Sequence, residues 1–261
     1  MKDVQNIKGN YKFAINRVGV NNLTHPIRIK AKSGAVVTTV GDFSLAVNLS
    51  KSLKGINMSR LLQLLSELNR GRFTIGDFKE DILKVLEEIK TRMESDNAYF
   101  EVDFDYFIEK KAPVSEYSGI APYKCRIEGS LKDSQYDLIL TVEVPITTLC
   151  PCSKEISNYS AHNQRGYVKT SIRYKDLIYL EDIIKLVEEV GSCEIYPILK
   201  RVDEKYVTEK AYENPRFVED IVRLVAEKLE AESKVTWFRV SSRHQESIHS
   251  HDAYAMLENW K

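Results

Sequence analysis

Apolar and polar positions alternate with period two in several stretches of this chain and recur with helical spacing in others. Ile27–Lys32 and Ala35–Leu49 alternate and are rich in β-branched residues, with Lys32-Ser33-Gly34 between them; the pattern predicts a β-hairpin. Leu61, Leu62, Leu64, Leu65 and Leu68 then follow helical spacing behind Ser59, a residue suited to cap a helix start. A second helix is expected from Gly76 to about Met93, with Phe78, Ile82, Leu83, Val85, Leu86 and Ile89 on one broad face. Two more strands are expected at Tyr99–Lys110 and Tyr123–Leu131. Further on, Tyr136–Leu149 and Gly166–Lys175 read as strands and Leu180–Val190 as a helix with an apolar stripe. A last helix opens at Asn214-Pro215, where a proline in the first turn loses no hydrogen bond. Val235–Ser241 and His251–Trp260 close the chain as strands, although the final stretch also admits a short helix.

Both halves thus read ββααββ, which predicts an α+β fold of antiparallel sheets and paired helices rather than a parallel, doubly wound one. The expected organisation is a polar N-terminal arm over residues 1–24, one module over 25–132 and a second over 133–261. No GxGxxG or Walker-type loop occurs, so a nucleotide would be held by other means.

Composition narrows the class. With 261 residues and 43% apolar content the chain can bury a sizeable core. Acidic and basic residues balance at 38 each, so no strongly charged surface for nucleic acid is implied. The longest apolar runs fall short of a dozen residues, too few to span a membrane. The opening MKDVQNIKGNYKF lacks an apolar signal core, and four unevenly spaced cysteines do not resemble a disulfide scaffold. A cytoplasmic location is the expectation.

The chemistry concentrates in Pro145–Gly166, PITTLCPCSKEISNYSAHNQRG, directly after the β-branched run Tyr136–Val144. Cys150 and Cys152 flank Pro151, which predicts an extended segment with both sulfurs leaning to one side. A disulfide between them is disfavoured, because residues two apart on an extended chain sit near the limit of bridgeable separation. His162 follows twelve residues after Cys150. A thiolate and an imidazole at a strand end suit a borderline-soft metal such as zinc, yet spacing alone leaves simple cysteine packing as an equal reading.

The strings LCPCSKEIS and SAHNQRG, followed by SCEIYPILKRVDEKYVTEKAYENPRFVED and ESIHSHDAYA, resemble the signature of the type IB GTP cyclohydrolase I family over most of the chain, from about Gly55 onward. The resemblance implies the tunnelling fold as two tandem modules, assembled into homotetramers. It implies conversion of GTP and water to 7,8-dihydroneopterin triphosphate and formate, the first step of folate (and deazapurine) biosynthesis. It further implies one divalent metal per site, Zn, Mn or Fe, held by Cys150, His162 and Glu204 with water in the open position. Without the resemblance Glu204 would read as part of a solvated charge run.

By the same resemblance Cys152 faces the substrate, although it also suits the alternative ligand to Cys150. Glu219 becomes the guanine anchor, one carboxylate accepting two hydrogen bonds from the purine edge; at a helix start it would serve equally well against the dipole. His249 is the general acid–base candidate, and His251 joins it at the substrate; a metal pair or plain surface histidines are the rival readings. Lys154, Arg165, Lys200, Arg201 and Arg243 are candidate triphosphate contacts, with Arg165 preferred. One departure stands out: where the family pattern is G-x-H-M-S-R, this chain has Asn57 in Gly55-Ile56-Asn57-Met58-Ser59-Arg60, and asparagine cannot protonate. Cys125 and Cys193 have no chemical neighbours in sequence and read as core; His25 reads as a lone strand histidine. The competing functions are a nitrile reductase of the same fold, using a nucleophilic cysteine and NADPH, and a non-catalytic purine- or metal-binding module.

Overall fold

A computed structural model of the chain describes residues 9–261. Its contacts form two compact units, one of the residues up to Asp105 with Arg126–Leu140, the other of Tyr106–Cys125 with Thr141–Lys261. The strands are β1 (Ile15–Lys30), β2 (Val36–Leu49), β3 (Asn97–Lys111), β4 (Ser118–Lys132), β5 (Gln135–Leu149), β6 (Asn163–Tyr174), β7 (Cys193–Glu194), β8 (Val235–Gln245) and β9 (Ala253–Trp260). The helices are α1 (Ser59–Arg70), α2 (Phe78–Met93), α3 (Pro151–Ile156), α4 (Leu180–Glu188), α5 (Arg201–Glu213) and α6 (Val218–Ala231). Neighbouring strands follow the order β1-β2-β3-β4-β5-β6-β8-β9, with β7 paired to β5. The fold is α+β, and the pairs β1–β2, β2–β3, β5–β7, β6–β8 and β8–β9 are antiparallel. Among the described residues no helix is long and apolar enough to cross a membrane.

In the first unit, alternation on β1 and β2 buries Ile27, Ile29, Phe43, Leu45 and Val47, and the turn between the strands uses Gly34 at φ 88°, a conformation glycine adopts without strain. The arm expected over residues 1–24 is shorter than that, because β1 already begins at Ile15. Two register shifts and a left-handed Asn22 interrupt the alternation there, which hides the strand from a period-two reading. Ser59 opens α1 as its first residue, with Met58 in the cap position. In α2 the cap is Asp77, whose carboxylate accepts from the backbone N–H of Lys79 at 2.8 Å and Glu80 at 3.3 Å. Ile82, Val85, Leu86 and Ile89 on α2 are buried, and the helix closes onto β4 at Gly129, where a Cβ would stand 2.7 Å from Ile82.

The second unit carries more than the expected two helices between its strand pairs: α3 interrupts β5 and β6, and the two-residue β7 and the helix α5 lie between α4 and α6. α6 buries Val218, Ile221, Val222, Val225 and Leu229, whereas α5 buries only Asp203 and Ala211. Pro215 lies in the connector before α6 rather than in its first turn, so it follows α5 instead of opening a helix.

Polar anchoring holds α5 where apolar packing does not. The fully buried Asp203 carboxylate accepts from the backbone N–H groups of Val114 (2.9 Å), Ser115 (2.8 Å) and Lys200 (2.8 Å), tying the turn between β3 and β4 to the start of α5. Burial pushes this carboxyl up, but the hydrogen bonds from Ser115, Lys200 and Val114 outweigh it and hold it well below its ordinary 3.8. A depressed carboxylate adds stability that is complete above the unfolded-state value and is lost as pH falls toward the folded-state value. Asp203→Ala is therefore expected to lower the thermal midpoint by several degrees near neutral pH, with the gap to wild type narrowing below about pH 4. Thermal unfolding at neutral and acidic pH checks both signs.

Candidate active site

β5 ends at Leu149, and Cys150 follows as the cap of α3, at φ −70° and ψ 118°. Pro151 takes the first helical position, where its fixed φ favours a helix. The Cys-Pro-Cys segment is thus not extended throughout as the sequence suggested: helical geometry starts at Pro151 and carries Cys152 into the first turn of α3. Cys150 is half-buried and Cys152 exposed, and both are free thiols. The backbone N–H of Cys150 donates to the carbonyl of His162 at 3.1 Å. That bond sets the two residues side by side at the end of β5 and the approach to β6, although eleven residues separate them in sequence.

His162 is held from behind. Its Nδ1 lies 2.9 Å from Gln164 Oε1, and Gln164 Nε2 donates to Thr148 Oγ1 at 3.1 Å. Thr148 Oγ1 lies in turn 3.4 Å from His244 Nδ1. Burial pushes the His244 imidazole down to about 4, against a small opposing pull from Glu219, so it is neutral near pH 7. Glu246 also approaches His162, its Oε2 being 4.0 Å from Nδ1.

The remaining expected residues fall as follows. Glu204 is exposed in the first turn of α5, next to the anchored Asp203. Among the described residues no three His, Cys, Asp or Glu side chains stand together as a metal-holding group. The backbone pairs Cys150 with His162, and Glu204 does not join them in such a group. Glu219 is the second residue of α6 and exposed. His249 and His251 are exposed between β8 and β9 and stack on each other, ring centroids 5.1 Å apart.

Among the cations, Arg165 is exposed on β6 opposite Gln245, and Arg201 is exposed at the start of α5. Lys154 on α3 donates to the Tyr212 carbonyl at 2.6 Å and lies over that ring at 4.1 Å, which binds α3 to the end of α5. Lys200 lies over the ring of Tyr117, and Arg243 pairs with Asp252 at 2.7 Å. Asn57 and Arg60 belong to the first unit, where they line a cavity of about 320 Å³ with Asn48, Ser50 and Glu94. Cys125 and Cys193 are buried, and burial pushes the Cys193 thiol up to about 11, as suits a packed residue.

Sequence reasoning passed over Gln164, Thr148, His244 and Glu246. The one available signal was spacing: His162, Gln164 and Gly166 alternate along a strand and so lie on one face.

In fold the chain is similar to the urate oxidase of Bacillus subtilis, with a TM-score of 0.57 at 8% identity over 94% of this chain and 98% of that one. The uricase of Arthrobacter globiformis matches with a TM-score of 0.52 over 94% and 92%. At this identity the likeness establishes a fold class: antiparallel strands with helices in the urate oxidase arrangement. The family follows from sequence. The family model described as type I GTP cyclohydrolase folE2 matches residues 1–255. GTP cyclohydrolase FolE2 of Magnetococcus marinus is 45% identical over 99% of this chain and 96% of its own length, and that of Geobacter metallireducens is 42% identical over 100% and 98%. The chain belongs to the type I GTP cyclohydrolase folE2 family and is an enzyme of that class.

Proposed function

We propose that this enzyme converts GTP and water to 7,8-dihydroneopterin triphosphate and formate, the first step of folate (and deazapurine) biosynthesis, with one divalent ion, Zn, Mn or Fe, at the site. The observation that carries the reading is the backbone pairing of Cys150 with His162 inside a family match that spans residues 1–255. The donor chemistry supports an ion there: a free, half-buried thiol stands beside an imidazole whose Nδ1 already has a partner, leaving Nε2 as the ligating nitrogen. Cys150 and His162 would hold it, and Glu204, the third ligand the family resemblance implies, would have to join them, since among the described residues it does not stand with them in a metal-holding group. When bound, the ion supplies an activated water for attack at guanine C8.

The chain's own residues supply the rest. The Glu219 carboxylate accepts hydrogen bonds from the guanine N1–H and exocyclic amine, a two-point contact that fixes the base in register. His249 exchanges a proton with the leaving ring nitrogen, its ring held by stacking on His251. Cys152, exposed on the first turn of α3, faces the substrate. Arg165 and Arg201 meet the triphosphate as exposed cations. Lys154 keeps two of its three N–H donors for phosphate after donating one to Tyr212. Two tandem modules on a ββααββ plan, the second elaborated by α3, β7 and α5, with association as a homotetramer and a cytoplasmic location, complete the proposal.

The test is anaerobic turnover of GTP, read as pterin fluorescence after oxidation, with EDTA and with Mn or Zn added back. Metal-restored pterin formation is the expected result. Purine binding without pterin formation under any metal would overturn the reading and leave a binding module.

A further inference from the structure

Thr148, Gln164 and His244 occupy the interior of the second unit, with exposures of 0%, 9% and 1%. Polar side chains buried this deeply in strands cost stability unless each hydrogen bond is made, so the direction of each bond is informative. Gln164 Nε2 can only donate, and it donates to Thr148 Oγ1 at 3.1 Å. Its Oε1 can only accept, and it faces His162 Nδ1 at 2.9 Å. With the Gln164 amide in this orientation, the proton of His162 belongs on Nδ1. The Glu246 carboxylate, which can only accept, agrees with that assignment, its Oε2 lying 4.0 Å from the same nitrogen.

At the other end, Thr148 Oγ1 accepts a hydrogen bond from Gln164 Nε2 and has its own hydroxyl hydrogen left to donate. His244 Nδ1 lies 3.4 Å away, and if Thr148 donates that hydrogen to it the His244 proton sits on Nε2. That Nε2 is buried and without a hydrogen-bond partner among the described residues. Room for the ring comes from Gly166, its register partner on β6. A Cβ on Gly166 would stand 3.1 Å from His244 Cδ2 and 3.3 Å from Nε2, closer than a packed ring tolerates.

We propose that Gln164, Thr148 and His244 form a buried hydrogen-bond relay that positions His162, fixing its proton on Nδ1 and presenting the Nε2 lone pair to the site. They are positioning residues, acting on the reaction only through His162. A corollary is that His162 and His244 hold opposite tautomers, Nδ1–H and Nε2–H. The relay itself is a statement about the metal-free protein; its consequence for metal binding rests on the function proposed above.

The test uses the full-length, metal-free protein with ¹⁵N-labelled histidine, whose tautomers are read by long-range ¹H–¹⁵N correlation. With five histidines in the chain, His249→Gln and His251→Gln suffice to remove two of the signals. The expected spectrum shows His162 as Nδ1–H and His244 as Nε2–H. Gln164→Leu should release His162 toward Nε2–H, and Gln164→Glu, which keeps an acceptor at Nδ1, should restore the wild-type tautomer. His162 found as Nε2–H in the wild type, or unmoved in Gln164→Leu, would overturn the relay. A second readout is Co(II) affinity, expected to fall about 10–100-fold in Gln164→Leu and to recover in Gln164→Glu. A wild type with the expected tautomers but no affinity for Co(II), Zn or Mn supports the relay and overturns the metal reading instead.

Discussion

Cys150→Ala and His162→Ala are each expected to lower kcat/KM for GTP by about a thousandfold or more, the scale set by losing a metal-activated nucleophile. Neither loss should come from misplacement of the chain. The bond joining these residues runs from the backbone N–H of Cys150 to the backbone carbonyl of His162, and it survives truncation of either side chain. Circular dichroism and thermal unfolding should therefore change little while activity disappears. If the two side chains act on one metal centre, as proposed, the double variant should be scarcely worse than either single one, the non-additivity of groups that work as a unit. Cys150→Ser, which keeps an oxygen donor, should retain more activity than Cys150→Ala when metal is in excess. Steady-state turnover with metal titration separates these outcomes; full activity in Cys150→Ala would remove the thiol from the reaction.

Glu219→Gln is expected to cost about 10²–10⁴-fold in kcat/KM, because it weakens two hydrogen bonds to a charged acceptor, each worth roughly 1.5–3 kcal/mol. The carboxamide keeps one acceptor atom and turns the other into a donor, which opposes a donor on the guanine edge. Discrimination should change with it. Wild type should prefer GTP over inosine triphosphate, which lacks the exocyclic amine, since the second carboxylate oxygen, covered by the bound base, would then lose its partner. In Glu219→Gln the two nucleotides should approach parity. Glu219 is exposed in the first turn of a helix whose cap N–H is already served by Asp220, so its replacement should leave stability almost unchanged. Equal loss on both nucleotides would assign Glu219 to the helix dipole rather than to the base.

The helices that could be read from sequence are those with a wide apolar stripe. α1, α2, α4 and α6 each bury three or more apolar residues, and hydrophobic periodicity marks them directly. α5 escaped because only Asp203 and Ala211 of it are buried, and its position depends on hydrogen bonds from residues far away in sequence. α3 is six residues long, too short to show a period, and the proline that suggested an extended chain serves as its first residue. The site divided along the same line. Cys150 and His162 were visible because reactive side chains in one loop draw notice whatever the fold. Gln164, Thr148 and His244 were not, because a polar residue facing inward on a strand looks like any break in alternation until its partners are known. His249 and His251 were placed close together by spacing, and they are close, though as stacked rings between β8 and β9 rather than as a strand pair.

The turn from Ala112 to Tyr117 has the look of a harmless place for a tag, a dye or an inserted peptide: a hairpin tip with a left-handed residue at Glu116 and a closing bond from Ala112 N–H to the Tyr117 carbonyl. Its two central N–H groups are nevertheless the ones that grip Asp203, immediately before Glu204. Protein engineers choosing a labelling site by surface appearance would be pulling on α5 through that grip. The cost would surface in the anchoring of α5, in a part of the chain the label never touches.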